Sequence, residues 1–239
     1  MEPPGATKFT SRAPTEAVKV AAVIPAYNEA DNIWRVLEVL SQPACPVDEV
    51  IVVDDGSQDG TAEVAARYGA RVVRHGCNRG KGDALLTGFR ATGAEVLLTL
   101  DADLVGLRIH HVRRLLEPVL GGDADMTVGV FIQGRGPTDW ALRLTPVLSG
   151  QRCFRRAAIR GLELLAGTGF GAEVVLSRLA RRSGARIMHV QLVGLTQRMK
   201  EEKRGFWRGV RDRARMYVEI LGRLWCREGP AGEEGMKRR

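Results

Sequence analysis

Apolar runs alternate with amphipathic segments along the first hundred residues of the chain. The runs consist largely of β-branched and aliphatic residues, which is typical of strands buried on both faces of a sheet. Between the runs, apolar residues recur every three or four positions, the spacing of one face of a helix. We therefore predict strands over residues 18–24, 49–54, 70–75 and 95–100, alternating with helices over 29–41, 60–68 and 81–92.

The order of these segments predicts the fold class. A strand, a short polar loop and a helix follow one another repeatedly, which indicates parallel strands joined by right-handed helical crossovers. The predicted fold is therefore α/β, with a mostly parallel central sheet and helices on both faces. Ligands bind such sheets at the carboxyl ends of the strands, so we expect the polar clusters that follow the strands to share one crevice.

The pattern is less regular beyond residue 104. We predict helices over 108–120, 156–166, 172–183 and about 203–226, and strands over 125–132 and 185–193, with no assignment for 133–155. Residues 1–17 are rich in Pro, Thr and Ala and predict a disordered tail, and residues 230–239 predict a frayed one. Residues 18–229 are then a single domain.

Composition limits the function classes. The chain has 239 residues, of which 44% are apolar, and this content excludes disorder over most of its length. A net charge of +8 indicates an anionic partner such as nucleic acid, a membrane surface or a phosphorylated substrate. Four scattered cysteines without a CxxC pair indicate reduced thiols in a cytoplasmic protein. No apolar run approaches the roughly 18 residues of a membrane span, so we expect membrane contact to be peripheral, at the cytoplasmic face.

Asp101-Ala102-Asp103 directly follows the predicted strand over residues 95–100 and is the strongest candidate for chemistry. Two carboxylates one residue apart can share Mg²⁺ or Mn²⁺, which prefer oxygen ligands. Such a cation would neutralise a diphosphate leaving group. A solvated turn, or a cap for the following helix, is the alternative explanation.

Three further segments lie where ligands could bind. Asp54-Asp55-Gly56-Ser57 can accept hydrogen bonds from a base or a ribose, although Asp-Gly also marks an ordinary turn. Residues 78–82 lack the spacing of a P-loop, but this basic, glycine-rich helix start, which includes Lys81, can hold an anion. Residues 167–171 follow a helical pattern rather than a strand, which excludes a dinucleotide fingerprint.

Four motifs occur along the first half of the chain: PAYNE (25–29), VVDDGS (52–57), NRGKGDALLTGF (78–89) and LDAD (100–103). In order and spacing, they closely resemble those of the family 2 glycosyltransferases, which have the nucleotide-sugar-binding α/β fold named GT-A. The resemblance implies a nucleoside diphosphate sugar as donor and Mg²⁺ or Mn²⁺ as cofactor. It implies metal binding by Asp103 and a catalytic role for Asp101. The donor-binding residues that we predict are Pro25, Ala26, Tyr27, Glu29, Asp54, Asp55, Lys81, Asp101 and Ala102.

Residues SGQRCFRR (149–156) are similar to the segment that lines the acceptor site in dolichyl- and polyprenyl-phosphate sugar transferases. This similarity implies acceptor contacts from Gln151 and Arg152, since a planar guanidinium suits a phosphate. The alternative for Arg152 is a solvated helix start. Glu173 lies in a segment that resembles the acceptor-side helix of the family. We predict that it acts as a general base if the acceptor is a hydroxyl; otherwise it orients an arginine or caps its helix.

The acidic pair departs from the family in one respect. Polyprenol-phosphate mannosyltransferases continue it as Asp-x-Asp-x-Gln, where the glutamine helps to bind metal, whereas this chain has Val105. Either another side chain replaces that glutamine or the acceptor class differs. His189 and Gln197 lie where the family sometimes supplies a late metal ligand, although core packing is the alternative for His189. The pair His110-His111 is predicted to lie on a helix surface.

The excess positive charge is concentrated in two places, residues 152–156 and residues 198–227, and the second stretch has ten Lys or Arg against four Asp or Glu. Because apolar residues recur there at helical spacing, the helix predicted over about 203–226 either lies on an anionic membrane or packs on the body. Both places would suit a phosphorylated acceptor.

These observations together predict a metal-dependent hexosyltransferase of the cell envelope, acting on a polyprenyl phosphate or a glycan. The acidic crevice and the absence of an RNA-binding motif argue against a nucleic-acid partner. Two alternatives stay open: transfer to a small soluble acceptor such as a phosphorylated acid, and a non-catalytic nucleotide-sugar-binding protein. A nucleotidyltransferase would have a Gly-rich, Arg-containing loop after the first strand, where this chain has PAYNE.

Overall fold

A seven-stranded sheet forms the centre of the fold. The structure is a computed structural model, and it describes residues 18–132, 149–169 and 171–197. The strands of this sheet are β1 (Val20–Ala26), β2 (Glu49–Asp54), β3 (Arg71–Arg74), β4 (Val96–Thr99), β6 (Met126–Ile132), β7 (Arg152–Arg155) and β8 (Ile187–Val193). Within the described ranges their order across the sheet is β3-β2-β1-β4-β7-β6-β8. Strands β5 (Leu104–Val105) and β9 (Thr196–Gln197) form a separate antiparallel pair.

The sheet is parallel except for one strand. Strands β1 to β4 run in the same direction, and β6 pairs with β8 in parallel. Strand β7 lies between β4 and β6 and is antiparallel to both. Because β7 runs backwards, its first residue, Arg152, pairs with Thr99 at the carboxyl end of β4. The residues that precede β7 therefore reach the edge of the sheet where the parallel strands end.

Helices cover both faces of the sheet, as the alternating pattern predicts. They are α1 (Ala30–Leu40), α2 (Thr61–Arg67), α3 (Lys81–Arg90), α4 (Ile109–Leu120) and α5 (Ala172–Arg182). Alternate residues of β1 pack to opposite sides: Ala22 and Ile24 join the core beneath α1 and α4, and Ala21 and Val23 join the core beneath α3 and α5. Burial on both faces is the physical reason that this strand is apolar throughout.

Two predictions from the sequence pattern are wrong. The helix predicted over residues 156–166 is a pair of short 3-10 turns, Arg156–Ala158 and Leu162–Leu165, separated at Gly161, whose φ of 78° lies in the left-handed region. His111 does not lie on the surface of α4 but is buried, with its Nε2 3.0 Å from the carbonyl oxygen of Val193.

Several predicted segments lie outside the described residues. These are the tails over residues 1–17 and 230–239 and the basic helix over about 203–226. In the part of the chain that the structure describes, no helix has both the length and the apolar character needed to cross a membrane.

Candidate active site

The loops that follow β1 and β2 are joined by hydrogen bonds. These are Asp55 N to Ala26 O (2.8 Å), Asn28 N to Ser57 Oγ (2.9 Å), Gln58 N to Asn28 Oδ1 (2.9 Å) and Glu29 N to Thr61 Oγ1 (2.9 Å). Asn28 has a φ of 53°, in the left-handed region that asparagine tolerates better than most residues. The two loops that the sequence predicts to bind the donor therefore form one continuous wall.

The predicted donor-binding residues of the first loop differ in exposure. Ala26 and Glu29 are buried, and Glu29 accepts a hydrogen bond of 2.5 Å from Asn32 Nδ2 in the first turn of α1. Pro25 is partly buried. Tyr27 is 37% exposed, so its ring is the one side chain among these four that stands out from the loop. An aromatic ring in this position can stack on a nucleobase.

Asp54 and Asp55 point into the protein. Asp54 accepts a hydrogen bond from Ser57 N (3.0 Å), and its Oδ2 lies 3.1 Å from Arg74 Nε, an ion pair without hydrogen-bond alignment. Asp55 accepts hydrogen bonds from the backbone N–H groups of Arg79 (2.9 Å) and Gly80 (2.8 Å). Both carboxylates therefore organise the loops of the crevice, and direct contact with a nucleotide stays a prediction.

The two glycine-rich segments that fail as nucleotide fingerprints pack against each other. Gly82 N donates to Thr168 O (2.9 Å), and Gly167 N donates to Asp83 Oδ2 (2.7 Å). A Cβ on Gly82 would overlap the backbone and side chain of Thr168. The start of α3 is thereby attached to the loop that leads to α5, which brings Glu173 close to Lys81.

Asp101 lies two residues beyond the end of β4, and polar groups surround its carboxylate. Lys81 Nζ lies 2.5 Å from Oδ1, Gln151 Nε2 donates to Oδ2 at 2.8 Å, and Gln197 Nε2 also donates to Oδ2. Next to it, Ala102 is buried and Asp103 is partly buried. Gln151, which we predict to bind the acceptor, is fully buried and positions Asp101 in this structure.

Lys81 bridges two carboxylates, because its ammonium also forms an ion pair with Glu173 in the first turn of α5. Burial alone would lower the pKa of Lys81, but the charges of Asp101 and Glu173 outweigh it and raise the pKa well above its usual range. Lys81 is therefore protonated throughout the physiological pH range. Glu173 is buried and holds a cation, so this arrangement favours a positioning role for Glu173 over that of a general base.

The arginines of residues 152–156 hold the fold together. Arg152 is 1% exposed and donates to Ser149 O and to Ser177 Oγ, both at 2.7 Å, while burial lowers its pKa to about 10. Arg155 donates to Val119 O (2.8 Å) at the end of α4. Arg156 donates to carbonyls at the end of α3. Since arginines stabilise helix C-termini through such bonds, the positive charge of residues 152–156, which is predicted to face an acceptor, is largely used inside the protein.

The sequence indicates which residues belong to this site better than it indicates which of them contact one another. The sequence predicts Gln197 only as a late metal ligand, and its hydrogen bond to Asp101 depends on the pairing of β5 with β9, in which Leu104 pairs with Gln197. The role of Gln151 depends on the reversed direction of β7. Neither pairing leaves a local signal in the pattern of apolar residues. His189 lies exposed on β8, and its predicted metal role stays a prediction.

A divalent cation fits this site only if a bound substrate supplies further oxygen ligands. Among the described residues, no group of three or more His, Cys, Asp or Glu side chains could hold a metal ion. Both oxygens of Asp101 already have partners, and Asp103, the other carboxylate of the acidic pair, is partly buried next to it and is the candidate ligand. Mg²⁺ commonly takes one or two carboxylates and completes its coordination with substrate phosphates and water, and a single carboxylate close to the carboxyl edge of the sheet suits that mode.

Known proteins are similar to this chain over well more than half of its length. An undecaprenyl-phosphate mannosyltransferase of Micrococcus luteus is 29% identical over 216 residues, which are 78% of this chain and 87% of that protein. A glucosyl-3-phosphoglycerate synthase of Mycobacterium tuberculosis is 31% identical over 194 residues, which are 66% of this chain but 59% of that protein.

Solved structures share the fold. The glucosyl-3-phosphoglycerate synthase of Mycobacterium tuberculosis with Mn²⁺, UDP and glucosyl-3-phosphoglycerate has a TM-score of 0.69 at 26% identity, covering 87% of this chain and 79% of that one. The same enzyme with Mn²⁺, UDP and phosphoglyceric acid has a TM-score of 0.71, with 90% of this chain and 80% of that one covered. The predicted GT-A fold is confirmed.

The family model described as glycosyl transferase family 2 matches residues 21–178. This range contains the four motifs, the acidic pair and Glu173, and it accounts for most of the described structure. The predicted similarity to dolichyl- and polyprenyl-phosphate sugar transferases is also confirmed, since the Micrococcus luteus relative is one. The chain therefore belongs to glycosyl transferase family 2.

Proposed function

We propose that the protein transfers a sugar from a nucleoside diphosphate sugar to the phosphate of a polyprenyl phosphate, with Mg²⁺ or Mn²⁺ on the diphosphate. The observation that carries the choice of acceptor is the ion pair between Glu173 and Lys81. A hydroxyl acceptor needs a base within hydrogen-bond reach, and the carboxylate predicted for that task already holds an ammonium. A phosphate monoester is ionised at neutral pH and can attack the anomeric carbon without a base.

The donor would bind along the carboxyl edge of the sheet. Tyr27 is exposed at the wall formed by the first two loops and is available to stack on the base. The bridge from Lys81 to Asp101 holds a carboxylate and an ammonium where the sugar and its diphosphate would meet. When bound, the divalent cation supplies positive charge that stabilises the departing diphosphate, and Asp103 would hold it.

The residues around Asp101 orient its carboxylate before any substrate arrives. Amides of Gln151 and Gln197 occupy Oδ2, and Lys81 occupies Oδ1. A carboxylate with every partner in place keeps one rotamer, and such preorganisation reduces the cost of aligning a substrate. A relative supports the same acceptor, because the alignment with the undecaprenyl-phosphate mannosyltransferase of Micrococcus luteus covers 87% of that protein at 29% identity.

A second candidate acceptor is a small phosphorylated acid. The observation that favours it is the likeness to solved structures that contain phosphoglyceric acid, with a TM-score of 0.71. In that case the nucleophile is a hydroxyl, and Glu173 would have to release Lys81 to act as the base. The two acceptors therefore differ in what they require of the ion pair between Glu173 and Lys81: a phosphate acceptor leaves it intact, whereas a hydroxyl acceptor requires it to open.

The test is a transfer assay on the purified chain with radiolabelled GDP-mannose or UDP-glucose. One arm contains undecaprenyl phosphate in detergent micelles and the other contains phosphoglycerate, each with Mn²⁺ or with EDTA. We expect label to enter the butanol-extractable lipid only when Mn²⁺ is present. Transfer to phosphoglycerate alone would establish the second candidate. The absence of metal-dependent transfer to either acceptor would overturn the proposal.

A matched pair of variants tests the metal role. Asp103→Asn removes the carboxylate charge from the mouth of the crevice and should abolish the response to Mn²⁺. Asp123→Asn makes the same chemical change in an exposed turn after α4, before the amino end of β6. The control should keep the activity and the metal dependence of the original chain.

A further inference from the structure

His75 is a buried histidine that the proposed chemistry does not use. It directly follows β3, and its side chain is 5% exposed. Its Nδ1 lies 2.6 Å from Asp55 Oδ1 and its Nε2 lies 2.9 Å from Thr87 Oγ1 on α3. Both ring nitrogens therefore have partners, and the ring connects the loop after β2 to the third helix.

Asp55 passes this connection to the glycine-rich loop. Its Oδ1 accepts the hydrogen bond of Arg79 N as well as that of His75, and its Oδ2 accepts Gly80 N at 2.8 Å. Gly80 has a φ of 95°, which a residue with a side chain rarely adopts. The next residue is Lys81, the first residue of α3 and the bridge to Asp101 and Glu173.

The loop after β3 passes so close to the loop after β2 that its path has little freedom. A Cβ on Gly56, whose φ is 77°, would lie 2.6 Å from the backbone carbonyl carbon of Cys77. The loop is thus held by its close approach to Gly56 and by the hydrogen bonds that Arg79 N and Gly80 N donate to the Asp55 carboxylate. A rotation of that carboxylate would release two backbone N–H groups next to the residue that reaches Asp101.

We propose that His75 is a positioning residue of the donor site, acting through Asp55 on the backbone of Arg79 and Gly80 and thereby on Lys81. The ring sets the rotamer of Asp55, the carboxylate sets the path of the loop, and the loop sets the start of α3. The effect on substrate rests on the proposed function, whereas the effect on the loop does not.

Two variants of His75 separate its two hydrogen bonds. The amide nitrogen of Asn occupies nearly the place of Nδ1 and keeps a donor for Asp55, while that of Gln occupies nearly the place of Nε2 and keeps the contact with Thr87. The measurement is amide hydrogen exchange, read by NMR at Arg79, Gly80 and Lys81 in the full chain without ligand. A merely structural role would make the two variants equivalent.

We expect His75→Gln to accelerate exchange at Arg79 and Gly80 by about tenfold, the effect of one lost hydrogen bond to a charged group. His75→Asn should stay within about twofold of the original chain, since its bond to Asp55 persists. Equal exchange in both variants, whether fast or slow, would overturn the proposal. Thr87→Val serves as a control, because it removes only the far partner of the ring.

Binding of UDP and GDP with Mn²⁺, measured by calorimetry on the same variants, tests the consequence for the donor. His75→Gln should weaken nucleotide binding by about tenfold while His75→Asn keeps it. If neither the original chain nor any variant binds UDP or GDP, the proposed function fails. The exchange result still decides the role of His75 in that case. Normal binding by His75→Gln despite a loosened loop would overturn the link to the donor site.

Discussion

The Cα of Gly150 lies against the carboxylate of Asp101, so closely that a Cβ at this position would come within 2.7 Å of Asp101 Cγ and 2.5 Å of its Oδ2. The backbone around Gly150 cannot retreat easily, because Thr99 Oγ1 donates to Gly150 O at 2.7 Å. The glycine is therefore required by the carboxylate beside it rather than by an unusual backbone angle.

We expect Gly150→Ala to displace Asp101 and to lower kcat by about a hundredfold, the loss that a misplacement of about 1 Å can cause. Gly76→Ala is the matched control, because no heavy atom beyond its chain neighbours lies within 4 Å of a Cβ there. Steady-state kinetics of both variants checks the prediction. Full activity in Gly150→Ala would show that Asp101 tolerates displacement.

The bridge from Lys81 to Glu173 should contribute to stability. Lys81→Met leaves two carboxylates facing each other, and we expect a loss of about 2 kcal/mol in the free energy of unfolding. This is below the about 3–5 kcal/mol of a fully buried pair, because a quarter of the Lys81 side chain is exposed.

A double-mutant cycle with Lys81→Met and Glu173→Gln, followed by urea unfolding, measures the coupling between the two residues. We expect the double variant to be more stable than the sum of the single losses predicts, since Glu173→Gln removes one of the two carboxylates that Lys81→Met leaves without an ammonium. Additive losses would mean that the ion pair contributes nothing to stability.

Arg156 should stabilise the fold without affecting catalysis. Its guanidinium donates to Phe89 O (2.8 Å), Thr92 O (2.9 Å) and Ala94 O (3.0 Å), beyond and at the end of α3. Arg156→Met should cost about 2 kcal/mol in the free energy of unfolding, because bonds to a charged donor are lost. The exposed Arg160 provides the control variant, Arg160→Met. A large loss of specific activity in folded Arg156→Met would contradict this assignment.

His111 should make stability depend on pH. Burial lowers the pKa of His111 below its ordinary value of 6.5, and the charges of His110, Arg108 and Arg114 lower it further. The hydrogen bond to the backbone of Val193 raises the pKa but does not outweigh these effects. The Nδ1 of His111 also accepts the N–H of Arg108 at 3.2 Å, a bond that protonation would destroy.

The unfolded chain therefore takes up a proton below about pH 6.5 while folded His111 stays neutral, so this contribution to stability is complete above that pH and is lost as the pH falls. Urea unfolding between pH 7.5 and 5 should show a stability advantage of the original chain over His111→Gln that shrinks with falling pH. His189→Gln, on an exposed strand position, should leave the pH dependence unchanged. A constant advantage of the original chain over His111→Gln would exclude His111 as the titrating group.

Much of the fold was predictable because each buried parallel strand has a continuous apolar run. The run at β1 predicts burial on both faces, and Ala22 and Val23 do pack on opposite sides. Asp101 and Lys81 were predictable through the resemblance, and their meeting follows from the shared edge at which parallel strands and their helices begin and end.

The contacts within the site were less predictable, because they depend on which distant segments pair. Nothing local to Arg155 or Arg156 shows that helix ends will lie beside them, so their charges suggested an exposed basic surface. Likewise, the sequence around Glu173 suggests a helix start but contains no trace of Lys81, which is 92 positions earlier in the chain. Such partners become visible only once the strand order is known.

The reversed strand β7 has a consequence for the order of assembly during synthesis. Gln151 and Gln197 are 50 and 96 residues beyond Asp101, and the loop closures that join them are entropically costly and slow. Strands β1 to β4 and their helices precede residue 104, whereas the carboxylate of Asp101 acquires the last of these side-chain partners only when residue 197 has been synthesised. We therefore expect the candidate site to be completed later than the strands on which it rests.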